Sequence, residues 1–376
     1  MNIIRMLIIL LIFIAVNVYI FVRGAQALPD KATIKAIYTV LYIFVSSSVF
    51  IAIFLGSKLP LWLSHALEIV GGYWIILFVF ILIAVLLGDI VRIINHFHPI
   101  YPSWVVANYA KAKLFYFYGL FLVLAFIALV GFYRFANPQV KELPIRVNHE
   151  VRSKDELNIV VASDIHLGNL IRKARFERWV DLINKQNPDI ILLAGDIFDH
   201  NIHAVEVQHM DVVLRRLKAR YGVYAIPGNH DYYAGIDKAI SYMKKSGIMV
   251  LRDEAITIDG RMVLIGRDDF TNKERKPLKS LVVGLNSRLP RIVLDHQPLR
   301  FEESKENNID LHISGHTHNG QIWPFNLIVS KIYELGYGYK KIGNTHYYVS
   351  SGIGLWGAPI RFGTRSEIVK VQLKVE

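Results

Sequence analysis

Residues 157–168 read LNIVVASDIHLG. The first half, Leu157–Ala162, is a short aliphatic and β-branched run, the pattern of a strand buried on both faces. An acid and an imidazole follow at once. Two residues apart on extended backbone, Asp164 and His166 emerge on the same side. The same arrangement recurs down the chain. Ile190–Ala194 (IILLA) runs into Gly195 and Asp196, and Val223–Ile226 into PGNHD with Asn229, His230 and Asp231. Ile292–Leu294 leads to His296, and Leu311–Ile313 to SGHTH with His316 and His318. Met262–Ile265 is a further expected strand. Between the first two, Lys173–Asn187 has helical spacing, with Phe176, Trp179, Val180 and Ile183 on one face. Strands alternating with helices define an α/β domain. Its polar groups all fall at strand ends beside Gly or Pro, where open α/β sheets collect ligands.

Those groups are carboxylates, one amide and imidazoles. The chain has no Cys, which excludes thiolate metal sites and disulfides. Oxygen and nitrogen donors without sulfur suit Mn, Fe or Zn. Seven or eight donors are too many for one tetrahedral site. They suit two divalent or trivalent metal ions sharing a bridging carboxylate, about 3.5–4 Å apart. Such a pair neutralises phosphate oxygens and activates water as hydroxide near neutral pH. A Ser-His-Asp hydrolase is a poor alternative, because no G-x-S-x-G elbow occurs.

In their order and spacing these blocks resemble the calcineurin-like metallophosphoesterase family, whose pattern is D-x-H, G-D-x-x-D, G-N-H-[DE], a lone His, and G-H-x-H. Here the blocks are Asp164-Ile165-His166, Gly195-Asp196 through Asp199, Gly228-Asn229-His230-Asp231, His296, and Gly315-His316-Thr317-His318. The resemblance spans about residues 157–372, and the closing SSGIGLWGAPIRFGTRSEI is similar to the bacterial membrane-anchored branch. One departure is Asn319, where many relatives have Gly. The resemblance implies a four-layer sandwich of two sheets flanked by helices. It implies that Asp164, His166, Asp196 and His318 hold one metal. Asp196 as bridge, Asn229, His296 and His316 would hold the other. It makes His230 the catalytic residue that positions phosphate and protonates the leaving oxygen, with Asp199 or Asp231 orienting it.

The first third has a different texture. Residues 1–134 carry nine Lys/Arg and three Asp/Glu, the remainder 34 and 28. Mean hydropathy over the chain is +0.33. Apolar runs at about 3–22, 37–55, 70–91 and 114–133 each approach the roughly 20 residues that cross a bilayer as a helix. Aromatics such as Trp62, Trp74, Trp104, Tyr109 and Tyr133 sit near their ends, as at membrane interfaces. The expected domains are therefore an all-α transmembrane region over 1–136, a linker over 137–156 marked by Pro138 and Pro144, and a phosphoesterase domain over 157–376.

Both termini of a four-span chain lie on one side. Arg5, Lys58, Arg134, Lys141 and Arg146 share one side, and Arg23, Lys31, Lys35, Arg92, Lys111 and Lys113 the other. Five against six sets no orientation by the positive-inside rule. The resemblance leans to a cell-membrane protein with an extracytoplasmic catalytic domain.

The net charge of +12 divides evenly between the two parts, without the basic stripe or reader motif of a nucleic-acid binder. No nucleic-acid partner is expected. The expected partners are the bilayer and a phosphate mono- or diester. The region 322–348, rich in aromatic and aliphatic residues, reads either as core or as an apolar lip beside the site. With the anchor, the lip favours a lipid or lipid-linked substrate. The alternatives are an inactive membrane scaffold or sensor, a protein phosphatase, and a transporter with a regulatory domain. The complete motif set argues against a decayed scaffold, and the sparse charge in the spans argues against a transporter.

Overall fold

The computed structural model describes residues 3–149 and 156–376. It divides into two compact units. One reaches Gly131 and is joined by Gly357–Ile360; the other comprises Phe132–Trp356 and Arg361–Glu376.

In the first unit, the four apolar runs form long helices, Ile3–Ala27, Ala32–Leu55, Leu61–Phe97 and Tyr109–Ala136. Each is long and apolar enough to cross a membrane. The stretches between the expected runs ending at 55 and 91 and those starting at 70 and 114 are partly helical. The third helix runs 37 residues, about 55 Å at 1.5 Å per residue. Polar residues near the ends of so long a helix lie beyond the hydrocarbon and do not break it. Asn17, inside the first run, is satisfied locally. Its Nδ2 donates to Phe13 O at 2.8 Å, and its Oδ1 accepts from the Tyr42 hydroxyl at 3.3 Å. Hydrocarbon requires such pairing. Gly71 lets the second and third helices approach, since a Cβ there would run into the Val49 backbone.

Among the described residues, the second unit holds twelve strands in two six-stranded sheets. In chain order they are β1 (Gln139–Val147), β2 (Glu156–Ala162), β3 (Ile190–Ala194), β4 (Val223–Ile226), β5 (Met249–Val250), β6 (Glu254–Ile258), β7 (Met262–Gly266), β8 (Arg291–Leu294), β9 (Leu311–Ser314), β10 (Gly338–Ile342), β11 (Thr345–Val349) and β12 (Glu367–Val375). One sheet has the order β1-β12-β2-β3-β4-β5, the other β10-β11-β9-β8-β7-β6. Within each, the strands that carry the motifs are parallel: β2, β3 and β4 in the first, β8 and β9 in the second.

The aliphatic runs are continuous because both faces are covered. Along β2, Ile159 and Val161 point between the sheets, where they meet Leu264, Ile292, Leu294 and Ile313. Val160 and Ala162 point outward onto Phe176, Trp179, Val180 and Ile183 of helix Lys173–Asn184. On the far side, Val263, Ile265 and Val293 pack under Leu278 and Leu289. The result is the expected four layers.

The linker at 137–156 is a correction. Residues 139–147 form β1, an edge strand paired in parallel with β12 from Gln139↔Glu367 to Val147↔Val375. Leu143, Ile145 and Val147 are buried and the residues between them exposed, the period of a half-buried strand. Pro144 reads as a breaker in the sequence, but an edge strand tolerates it because its outer side has no ladder to complete. Residues 150–155 lie outside the described residues. The unit also begins before 137, because Phe135 is buried edge-on against Trp179.

Candidate metal centre

The candidate residues converge where the C-terminal ends of β2, β3 and β4 meet those of β8 and β9. Contacts across the two sheets fix them. Asp164 Oδ1 accepts from the His316 backbone N–H at 2.9 Å. His296 Nδ1 lies 2.9 Å from Ala194 O. A carbonyl only accepts, so Nδ1 carries a proton. Nε2 faces Asp196 Oδ2 at 3.1 Å.

Ligating atoms of Asp164, His166 and His318 lie within 4.8 Å of one another, and so do those of Asp196, His296 and His316. His166 Nε2 is 3.2 Å from His318 Nε2 and 3.7 Å from Asp196 Oδ2. Asn229 Oδ1 is 2.9 Å from His316 Nδ1. Asp196 therefore sits between the two groups. Its other oxygen accepts from the His230 N–H at 2.8 Å. Gly228 is required here, since a Cβ would collide with the Asp196 carboxylate.

Backbone strain collects at the same place. Asp164, His166, Asp196, His316 and His318 have φ of 53°, 52°, 51°, 68° and 50°, the left-handed region that non-Gly residues seldom adopt. Asn319 also lies there at φ 51°. Asn tolerates that conformation better than most residues, so it can stand where many relatives have Gly.

The donors suit hard or borderline cations. Asp164, His166, Asp196, His296 and His318 are almost fully buried. Asp164 Oδ2, His166 Nδ1 and His296 Nε2 are buried without a hydrogen-bond partner, a costly state that a bound cation relieves. Burial opposes the Asp196 charge, but attraction to His296, His166 and His230 outweighs it and holds the carboxyl well below its ordinary range. Burial, then repulsion from His296, lowers His316 to about 4. Burial, His166 and Arg361 hold His318 well below its usual value. Neutral imidazoles with free lone pairs are the form that binds metal.

His230 stands beside the cluster, its ring edge-on to His166 at 4.5 Å between centroids. Of the two acids considered for orienting it, Asp199 makes the contact, with Oδ1 3.2 Å from His230 Nδ1. Asp231 turns away. It accepts from the Gly228, Phe198 and Ile197 backbone N–H groups at 2.9, 2.9 and 3.3 Å. Burial, then the nearby Asp196 charge, pushes the Asp231 carboxyl up to about 7.

Two neighbours were missed in the sequence. Arg361 is fully buried, and its Nη2 donates to Ser351 O at 2.6 Å and lies 3.3 Å from His318 Nδ1. It stands 43 residues beyond His318, with no spacing signal. His200 lies 2.7 Å from Asp199 Oδ1; its place directly after Asp199 was the available hint.

A buried cluster of oxygen and nitrogen donors at the strand ends of a four-layer α/β sandwich defines a metal-dependent phosphoesterase. Residues 157–320 match the calcineurin-like phosphoesterase family, and the chain belongs to it. An uncharacterized metallophosphoesterase of Helicobacter pylori is 36% identical over 261 residues, 68% of this chain and 69% of that one. One from Bacillus subtilis is 32% identical over 276 residues, 68% and 95% of the two chains. A transmembrane protein with metallophosphoesterase domain from Danio rerio is 27% identical over 369 residues, 94% and 83%. That similarity runs through the helices as well, in keeping with a membrane protein.

Proposed function

We propose that the chain hydrolyses a phosphate mono- or diester at a dinuclear centre, with Asp196 shared between two ions. Asp164, His166 and His318 would complete one ligand set, and Asn229, His296 and His316 the other. The position of Asp196, 3.1 Å from His296 Nε2 and 3.7 Å from His166 Nε2, carries this reading. When bound, the two cations would clamp phosphate oxygens and activate a water for in-line attack. His230 does the rest. It faces the cluster without belonging to either ligand set, and it gives a proton to the departing oxygen. Asp199 holds its Nδ1, so Nε2 is the nitrogen turned to the substrate.

The substrate class we favour is a lipid or lipid-linked phosphoester. Helix Phe325–Ile332 follows the last candidate ligand closely and buries none of its residues. Trp323, Phe325, Leu327, Ile328 and Ile332 are all exposed, and Lys331 lies among them. The end of this region is core, with Tyr347 and Tyr348 fully buried. An apolar helix with a cation at its rim suits a lipid surface. Four membrane-length helices in the same chain would keep such substrates at high effective concentration. The test is a substrate panel on the full chain with Mn²⁺: bis-p-nitrophenyl phosphate, p-nitrophenyl phosphate and lipid phosphoesters in vesicles. Faster turnover of the vesicle lipids, lost in Phe325→Ser/Ile328→Ser, supports the lipid assignment. Equal loss on the small soluble esters contradicts it.

A further inference from the structure

The four long helices line a half-open cavity of about 1000 Å³, the top of the roughly 300–1,000 Å³ range of small-molecule sites. Its body is apolar, walled by Leu41, Val45, Leu77, Ile81, Leu120 and Leu124. Its charged lining comes from the end of the first helix (Arg23), the end of the third (Asp89, Arg92) and the start of the fourth (Lys113). All four therefore gather at one end of the bundle. We propose that this cavity binds one anionic membrane lipid, its acyl chains along the apolar wall and its phosphate against Arg23, Arg92 and Lys113. The proposal is independent of the reaction at the metal centre.

The apolar wall alone selects nothing, since lipid tails are as apolar as the side chains they touch. Selection comes from the charged end. Asp89 is the one carboxylate among the described residues of this lining. It is bound by Arg23 Nη2 at 2.5 Å, Arg92 Nη1 at 3.3 Å and the Tyr19 hydroxyl at 2.6 Å. Three cations against one anion leave an excess of two positive charges at the mouth. Their donors are not all used. Arg23 Nε is buried without a partner. Lys113 Nζ gives one hydrogen bond to Gln26 O at 2.8 Å and has two donors left. Spare donors and excess positive charge at the end of the bundle attract an anion at head-group level. A phosphate supplies several acceptors and the opposite charge, through charge-assisted hydrogen bonds. Basic pockets between membrane helices take anionic head groups for this reason. A zwitterionic lipid brings its own cation to a mouth that is already positive.

Native mass spectrometry tests the assignment. The delipidated full chain, in neutral detergent, is offered dioleoylphosphatidylglycerol and dioleoylphosphatidylcholine in equal amounts. One phosphatidylglycerol per chain should be retained, preferred roughly tenfold or more, in line with about 1 kcal/mol per cation near a lipid head group. Arg92→Gln/Lys113→Gln should keep lipid but lose the preference. This pair leaves the Arg23–Asp89 contact in place. Ala125→Trp, which fills the apolar body and spares the charges, should lower retention of both lipids. Unchanged helical circular dichroism and a single elution peak in neutral detergent report that each variant's helix bundle is folded. Equal retention of the two lipids by the unmodified chain overturns the proposal. So does a preference that survives Arg92→Gln/Lys113→Gln, or retention untouched by Ala125→Trp.

Discussion

Asp199 Oδ1 lies 3.2 Å from His230 Nδ1 and 2.7 Å from His200 Nδ1, so one carboxylate oxygen serves two imidazoles. That contact fixes the tautomer of His230 and aims its other nitrogen. His230→Asn should cut turnover of alkyl phosphate esters by roughly 10²–10⁴, the usual share of a general acid. Nitrophenyl esters, whose leaving group needs little protonation, should lose less. Metal content should not change. Equal losses on the two ester types would reduce His230 to phosphate positioning.

Asp199→Asn should follow the same pattern more weakly, by roughly 10–100-fold, the usual effect of removing a supporting partner. Steady-state rates on both ester types, with metal analysis, check this. A loss of bound metal would place Asp199 in the ligand set instead.

Asp231 acts on the backbone. Replacing it with Ala strips the Gly228, Phe198 and Ile197 N–H groups of their acceptor. Each buried donor left unmet costs about 1–3 kcal/mol. Asp231→Ala should therefore lower the thermal midpoint sharply. Asp231→Asn, which retains an acceptor oxygen, should lower it less. Matching midpoints for the two variants would contradict this role.

His312 gives stability a pH dependence away from the metal centre. It is buried between the Ser304 and Ser314 hydroxyls, and burial, then Arg267 and Arg275, lowers it to about 3. Unfolded, it takes a proton near its usual value of about 6.5. Between those values the unfolded state binds the extra proton, so stability falls as pH drops from about 6.5 towards 3. The slope from this group is about 1.4 kcal/mol per pH unit. In metal-free protein, His312→Gln should flatten the melting curve against pH over that window. Parallel curves for variant and unmodified chain would contradict the assignment.

The unit boundary can be tested by truncation. Deleting residues 1–131 keeps Phe135 under Trp179, whereas deleting 1–136 removes it. Loss of a buried Phe costs about 3–5 kcal/mol, so the shorter product should melt lower. Both retain every candidate ligand and should hydrolyse small soluble diesters. Identical melting of the two would show that Phe135 adds nothing to this core.

The motif strands were legible because burial on both faces writes an aliphatic run into the sequence, and Ile190–Ala194 and Val223–Ile226 have the bounds the sequence suggests. β1 was hidden because Pro144 sends the breaker signal and its edge position removes the penalty. The third helix was read too short because hydropathy marks the bilayer crossing and not the hydrogen-bonded helix beyond it. At the site, D-x-H and G-H-x-H carry their own spacing. Arg361 and the choice of Asp199 over Asp231 depend on how separate loops fold together, which local spacing does not encode.

Metal stoichiometry bears directly on the shared carboxylate of Asp196. The full chain, loaded with Mn²⁺ and freed of excess ion, should carry close to two equivalents. Asp196→Asn should lose metal and hydrolysis together, because the amide gives up the charge that faces both groups. Two equivalents retained in Asp196→Asn would contradict the account.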